Sequence, residues 1–151
     1  MKRGNVMNLN TVHFGEVEYD ESGIITFPDG IPGFQNETRY ILLDNEETED
    51  KMFRWLQCVD NAEIAFPIMN VYPVIPHYNP LVDEDTLDNL GHIPDNSLEI
   101  YNVCVIPEDD VKQMRVNLKA PIVINPATRK GKQVVLQNEE YAVRYHIFSG
   151  V

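Results

Sequence analysis

Carboxylates are the residues of this chain with the widest choice of chemistry. Between Trp55 and Val111 stand eleven of them (Asp60, Glu63, Asp83, Glu84, Asp85, Asp88, Asp95, Glu99, Glu108, Asp109 and Asp110), with no lysine or arginine. From Lys112 to Lys132 the sign reverses: six basic residues (Lys112, Arg115, Lys119, Arg129, Lys130 and Lys132) and no acid. Two carboxylates across a cleft could cleave a glycoside, but only at a defined separation that spacing along the chain does not supply. Asp83 and Asp85 begin like a calcium loop, yet Leu87 occupies the third ligand position and Asp88 replaces the glycine of the sixth. His13, His77, His92 and His146 are scattered, with no metal-ligand spacing between them. Cys58 and Cys104 lie in apolar runs rather than in a C-x-x-C pair and read as small buried hydrophobes of a reducing compartment. No glycine loop that would cradle phosphate and no G-x-S-x-G elbow is present. Catalysis, a cofactor and a metal are therefore not expected.

What remains is charge as a means of recognition. The formal net charge is -12. An acidic face attracts basic proteins and repels phosphate backbones, so direct nucleic-acid binding through Lys112 to Lys132 would be opposed by the rest of the molecule. The competing account of the same acids is solubility alone.

The elements that must position these residues are short. Ten prolines and eight glycines punctuate segments rich in β-branched and aromatic side chains. Strands are expected at Val12 to Tyr19, Ile24 to Phe27, Tyr40 to Leu43, Phe53 to Val59, Ile64 to Met69, Leu98 to Ile106, Met114 to Leu118, Ile122 to Ile124, Gln133 to Gln137 and Tyr141 to Phe148. Phe53 to Cys58 carries apolar side chains on both faces and Val103 to Ile106 is a continuous apolar run, so these strands should be covered on both sides. The expected fold class is mainly β, a small antiparallel β-barrel-like roll with one short helix. That helix is Asp83 to Leu90, with Asp83 as N-cap, Glu84 and Asp85 in the first turn, Leu87 and Leu90 on one face and Gly91 as the stop. At 151 residues one domain is expected, 11–148, preceded by a flexible leader 1–10 and followed by a tail 149–151. No run approaches the roughly 20 apolar residues of a membrane-spanning helix. Trp55, Leu56, Phe66, Ile122 and Val134 are the expected core. In the loop Phe27 to Phe34, two prolines and two glycines should fix Ile31 and Phe34 in a rigid turn, either as packing or as a partner site.

Four blocks are more specific than composition. The chain reads HFGEVEYD at His13 to Asp20, ITFPDGIPGF at Ile25 to Phe34, WLQCVDNAEIAFPIMN at Trp55 to Asn70 and VNLKAPIVINPATRKGKQVVL at Val116 to Leu136. In this order they closely resemble the flagellar assembly factor FliW family of bacteria, over most of the chain. The resemblance implies a cytoplasmic non-enzyme of β-barrel-like fold that binds flagellin and also the RNA-binding translational regulator CsrA, keeping CsrA from flagellin messenger RNA. Accumulated flagellin would occupy the factor and release the regulator. Cys58 stands where a serine is common, and Val71 follows Asn70 where a proline is more usual, so contacts carried over to Asn70, Tyr72 and Tyr78 fall on a departing segment. Candidate partner residues are then Ile31, Phe34, Asn70, Tyr72, Tyr78, Asp83, Glu84, Asp85 and Asp88. Two other classes stay open: a small β-barrel enzyme acting on a basic or carbohydrate substrate, and a chaperone for flagellin with no link to translation.

Overall fold

Apolar and β-branched runs become strands that wrap around a buried, mostly apolar centre. The computed structural model describes residues 6–44, 52–91 and 98–148. Its strands are β1 (Val6–Thr11), β2 (Gly15–Asp20), β3 (Ile25–Thr26), β4 (Arg39–Asp44), β5 (Phe53–Cys58), β6 (Ala65–Met69), β7 (Glu99–Val105), β8 (Arg115–Val116), β9 (Ile122–Asn125), β10 (Lys130–Gln133) and β11 (Tyr145–His146), with one α-helix, α1 (Glu84–Asn89), between β6 and β7. Strands β7, β6, β5, β4, β3, β10 and β9 are neighbours in that order, and β9 pairs back onto β7, which closes a seven-stranded barrel. Every pairing is antiparallel except β3 with β10, which meet in parallel at Thr26 and Lys130. β8 and β11 extend the sheet beyond the C-terminal end of β7, and β1 and β2 form a separate hairpin. The antiparallel barrel-like roll with one short helix is thus the observed architecture.

Two cores result from strands buried on both faces. All four residues of β9 are buried. Ile122 and Ile124 point into an inner cluster with Ile25, Phe27, Tyr40, Leu56 and Ile68. Val123 points the other way, into an outer cluster with Met69, Val71, Tyr78, Leu90 and Leu136. Each fully buried aliphatic side chain contributes about 1.5–3 kcal/mol relative to exposure. Gly131 of β10 is required by this packing, since a Cβ there would lie 2.7 Å from the Phe27 ring.

Several sequence expectations shift. The strand expected at Val12 to Tyr19 is a hairpin, because Thr11 Oγ1 accepts from the amide of Phe14 and Gly15 takes φ +67, turning the chain at 12–14. Among the described residues a strand, Val6–Thr11, overlaps the span expected as a leader. In place of Gln133 to Gln137 the strand is Lys130–Gln133, and in place of Tyr141 to Phe148 it is Tyr145–His146. Val105 and Ile106 are exposed, because the apolar run of β7 leaves the barrel there. Leu56, Ile122 and Val134 are core, whereas Trp55 and Phe66 are half-buried. Trp55 lies under the hairpin, its ring 5.1 Å from that of Phe14, and Phe66 lies at the mouth of the barrel, 5.4 Å from the ring of Phe34.

Candidate functional site

A turn stands at Phe27 to Phe34, as expected, and its backbone explains its composition. The amide of Gly30 donates to Phe27 O and that of Phe34 to Ile31 O. Gly30 sits at φ +67, where a Cβ would also come within 2.6 Å of Gln35 Cα, so no other residue fits. The turn drives Ile31 into the inner core, 3% exposed, and leaves Phe34 40% exposed above Phe66.

Beside this turn the barrel opens. β6 and β7 pair only at Ile68 with Val103 and Met69 with Asn102. Beyond that point Ala65 and Phe66 continue along β5, while Cys104 and Val105 pair with β8. The divergence leaves a groove of about 310 Å³, whose lining includes Ile31, Phe66, Val103, Val105, Arg115, Val143 and Arg144. Its floor is the end of the inner core, to which Ile31, Phe66 and Val103 also belong. Val105 and Val143 are half or more exposed. Among the described residues neither Arg115 nor Arg144 forms an ion pair.

The other candidate residues lie elsewhere. Asn70 Oδ1 accepts from the amide of Tyr72 at 3.2 Å, holding the chain as it leaves β6. Tyr72 is half-buried against Tyr78. Tyr78 is buried; its hydroxyl donates to Leu118 O at 2.7 Å and accepts from Asn102 Nδ2 at 3.1 Å. Burial raises the Tyr78 pKa well above the ordinary value, so the hydroxyl is a fixed donor.

Asp83 caps α1, accepting from the Thr86 amide at 2.8 Å, and hydrogen bonds from Thr86 hold its pKa below the usual range. Glu84, Asp85 and Asp88 are exposed, while Leu87 and Leu90 anchor the helix. The carbonyl of Leu90 accepts from Asn125 Nδ2 at 2.8 Å and Thr128 Oγ1 at 2.7 Å. The acidic helix therefore rests on the turn between β9 and β10, inside the basic stretch, and Lys132, 3.6 Å from Asp29, also lowers the Asp83 pKa through its charge. Charges segregated in sequence are neighbours in space.

A second cavity, about 350 Å³ and lined in part by Glu18, Asp20, Arg54, Glu99 and Arg129, is polar. Its arginines are engaged: Arg54 with Asp44 at 2.6 Å and Tyr101 Oη at 2.9 Å, Arg129 with Gly23 O at 2.6 Å. Among the described residues no three of His, Cys, Asp and Glu converge on a point that could hold a metal ion. The carboxylates of Asp20, Asp60, Asp83 and Glu140 are held below the ordinary range by hydrogen bonds, from Ser22, Arg39, Thr86 and Asn138 respectively, the reverse of a proton-donating catalytic acid. Burial pushes Cys58 up to about 11 and Cys104 up to about 12, which leaves both as thiols at neutral pH. No helix among the described residues is long and apolar enough to cross a membrane.

The structure thus sorts the sequence candidates into three places: Ile31 and Phe34 at the groove, Asn70, Tyr72 and Tyr78 in the outer core and its edge, and the four acids on α1. Arg115, Arg144, Val105 and Val143 are not among the partner candidates that the sequence offers, although Arg115 belongs to its basic stretch and Val105 to an apolar run. The one usable signal was alternation in Met114 to Val116, which turns Arg115 away from the outer core.

Comparison with known proteins gives concordant results. A family model described as FliW protein matches residues 8–147. A flagellar assembly factor FliW of Alkaliphilus metalliredigens is 39% identical over 145 residues, 96% of this chain and 88% of the relative. Its counterpart in Thermoanaerobacter pseudethanolicus is 40% identical over 141 residues, 93% of each chain. A crystal structure of the flagellar assembly factor FliW superposes with a TM-score of 0.86 at 31% identity, covering 94% of this chain and 97% of that one.

Proposed function

Since the chain belongs to the FliW family, we propose that it is a cytoplasmic flagellar assembly factor that binds flagellin and antagonises the translational regulator CsrA, coupling flagellin level to flagellin translation. Family membership carries this reading. The surface supports it in two ways: an apolar groove walled by rigid strands suits a protein partner, and the exposed acids of α1 suit a basic one. CsrA must offer positive charge to RNA. Carboxylates docked beside that surface attract the protein and repel the nucleic acid, within a screening length of about 8 Å in physiological salt.

The test is binding of the full chain to purified flagellin and purified CsrA, with a flagellin leader RNA as competitor for CsrA. Both proteins should bind, and RNA should be displaced. Association of the wild type with CsrA should slow as salt rises; at low salt the triple variant Glu84→Lys, Asp85→Lys, Asp88→Lys, which leaves the Asp83 cap intact, should associate more slowly than the wild type and lose that salt dependence. An unchanged rate in that variant, with RNA still displaced, would remove α1 from the regulator site. Failure of the wild type to bind flagellin would overturn the reading itself.

A further inference from the structure

The groove and α1 carry opposite charge, so they cannot serve the same partner chemistry. We infer that the groove at the barrel mouth is the seat of a partner segment whose apolar side chains are flanked by carboxylates, and that this partner is flagellin rather than the basic regulator. The inference rests on the proposed function for the partner's name and on the groove's own chemistry for the rest. Isolated exposed apolar residues are ordinary on any protein surface. Here they converge: Val105 and Val143, 50% and 58% exposed, stand over a floor made by Ile31, Phe66 and Val103 in one concavity of about 310 Å³, room for two or three small side chains. Within the same lining lie Arg115 and Arg144, neither ion-paired among the described residues, although three other basic side chains, Arg39, Arg54 and Lys132, have carboxylate partners. Guanidinium groups left open beside apolar surface are matched by carboxylates, which they grip with two parallel hydrogen bonds. A basic segment would meet like charge here and opposite charge at α1, so electrostatics alone separates the two partners.

Two probes test this. The first is a pair of capped pentapeptides, Asp-Leu-Val-Leu-Asp and Lys-Leu-Val-Leu-Lys, titrated into the full chain and followed by backbone amide shifts. The acidic peptide should move the amides of Val103, Val105, Arg115 and Val143, and the basic one should not; equal response to both, or response elsewhere, overturns the groove's assigned chemistry. The second is purified flagellin with the double variant Arg115→Glu, Arg144→Glu. Its affinity should fall at least tenfold while CsrA affinity stays within twofold and the melting temperature is unchanged. If flagellin binds wild type and variant alike, the groove is not its seat, though the proposed function stands. If flagellin fails to bind the wild type, the proposed function and the partner assignment fall together, and the peptide result alone decides the groove's chemistry. A second variant, Arg115→Gln, Arg144→Gln, which removes the charge without reversing it, should also melt like the wild type and should show the loss of flagellin affinity in smaller measure.

Discussion

The groove and α1 are the two exposed candidate surfaces, and they are held in place by different means. The groove is the end of the barrel's inner core: its floor residues pack against Tyr40 and Ile68 in strands that are paired on both sides. α1 is a six-residue helix whose shape depends on one cap, two buried leucines and two side-chain hydrogen bonds to a single carbonyl. A helix so short has little stability of its own. On the proposed assignment, apolar recognition falls where strands are paired on both sides, and charge, which acts at a distance, falls on the short helix.

Mutations can break or sharpen that contrast. The largest effect is expected for Leu56→Ala, which empties a fully buried site of the inner core; chemical denaturation should show a loss of about 2–5 kcal/mol, and the groove should lose its ligands with it. A loss under about 1 kcal/mol would mean that the core does not hold the groove rigid. Phe66→Ala comes next. Because Phe66 is only half-buried and is covered from one side by Phe34, roughly half of the usual penalty for Phe→Ala, about 2 kcal/mol, is expected. Tyr78→Phe strips the hydroxyl that donates to Leu118 O and accepts from Asn102; about 1–2 kcal/mol should be lost, with flagellin and CsrA binding unaltered, since Tyr78 is enclosed. The smallest effect is local and pH-dependent. The folded pKa of Asp83 lies below 3.8, so its cap is fully present above that value and is lost as the pH falls through the folded pKa. On acidification the amide of Thr86 should shift and exchange faster, while the amides of β9 remain protected. Simultaneous loss of both would show that α1 and the barrel unfold as one unit.

Which parts were legible follows from what made them. The segment Ile122 to Ile124 could be read because burial on both faces leaves an unbroken apolar run, and α1 could be read because caps act within four residues. The hairpin β1–β2 could not. Alternation runs through both of its strands (Met7 and Leu9, then Val17 and Tyr19, against polar neighbours), but the turn that divides them depends on the hydroxyl of Thr11 meeting the amide of Phe14. Trp55 looked like core because its run is apolar; the hairpin that half-covers it comes from forty residues away in the chain, as roughly measured by the contact of Phe14 with Trp55. The groove was hidden for the same reason. Ile31, Phe66, Val103, Arg115 and Val143 belong to five separate stretches, brought together only because β7 abandons β6 for β8.

The parallel contact between β3 and β10, the only one among the described residues, constrains the order in which the barrel can be assembled. Thr26 N donates to Arg129 O, and the Arg129 side chain reaches back to Gly23 O across 106 residues of sequence. As the chain emerges from the ribosome, β3 to β7 can form an open curved meander long before β9 and β10 exist, and its two outer strands then present unpaired backbone. Among the described residues the bridge between them comes from β10, which meets β3 at Lys130 and pairs with β9 from Lys130 to Gln133. Such late, long-range closure makes for slow folding and a prolonged sticky intermediate. If the barrel mouth is a partner's seat, a newly made molecule becomes competent to hold that partner only after β10 has joined β3 to β9.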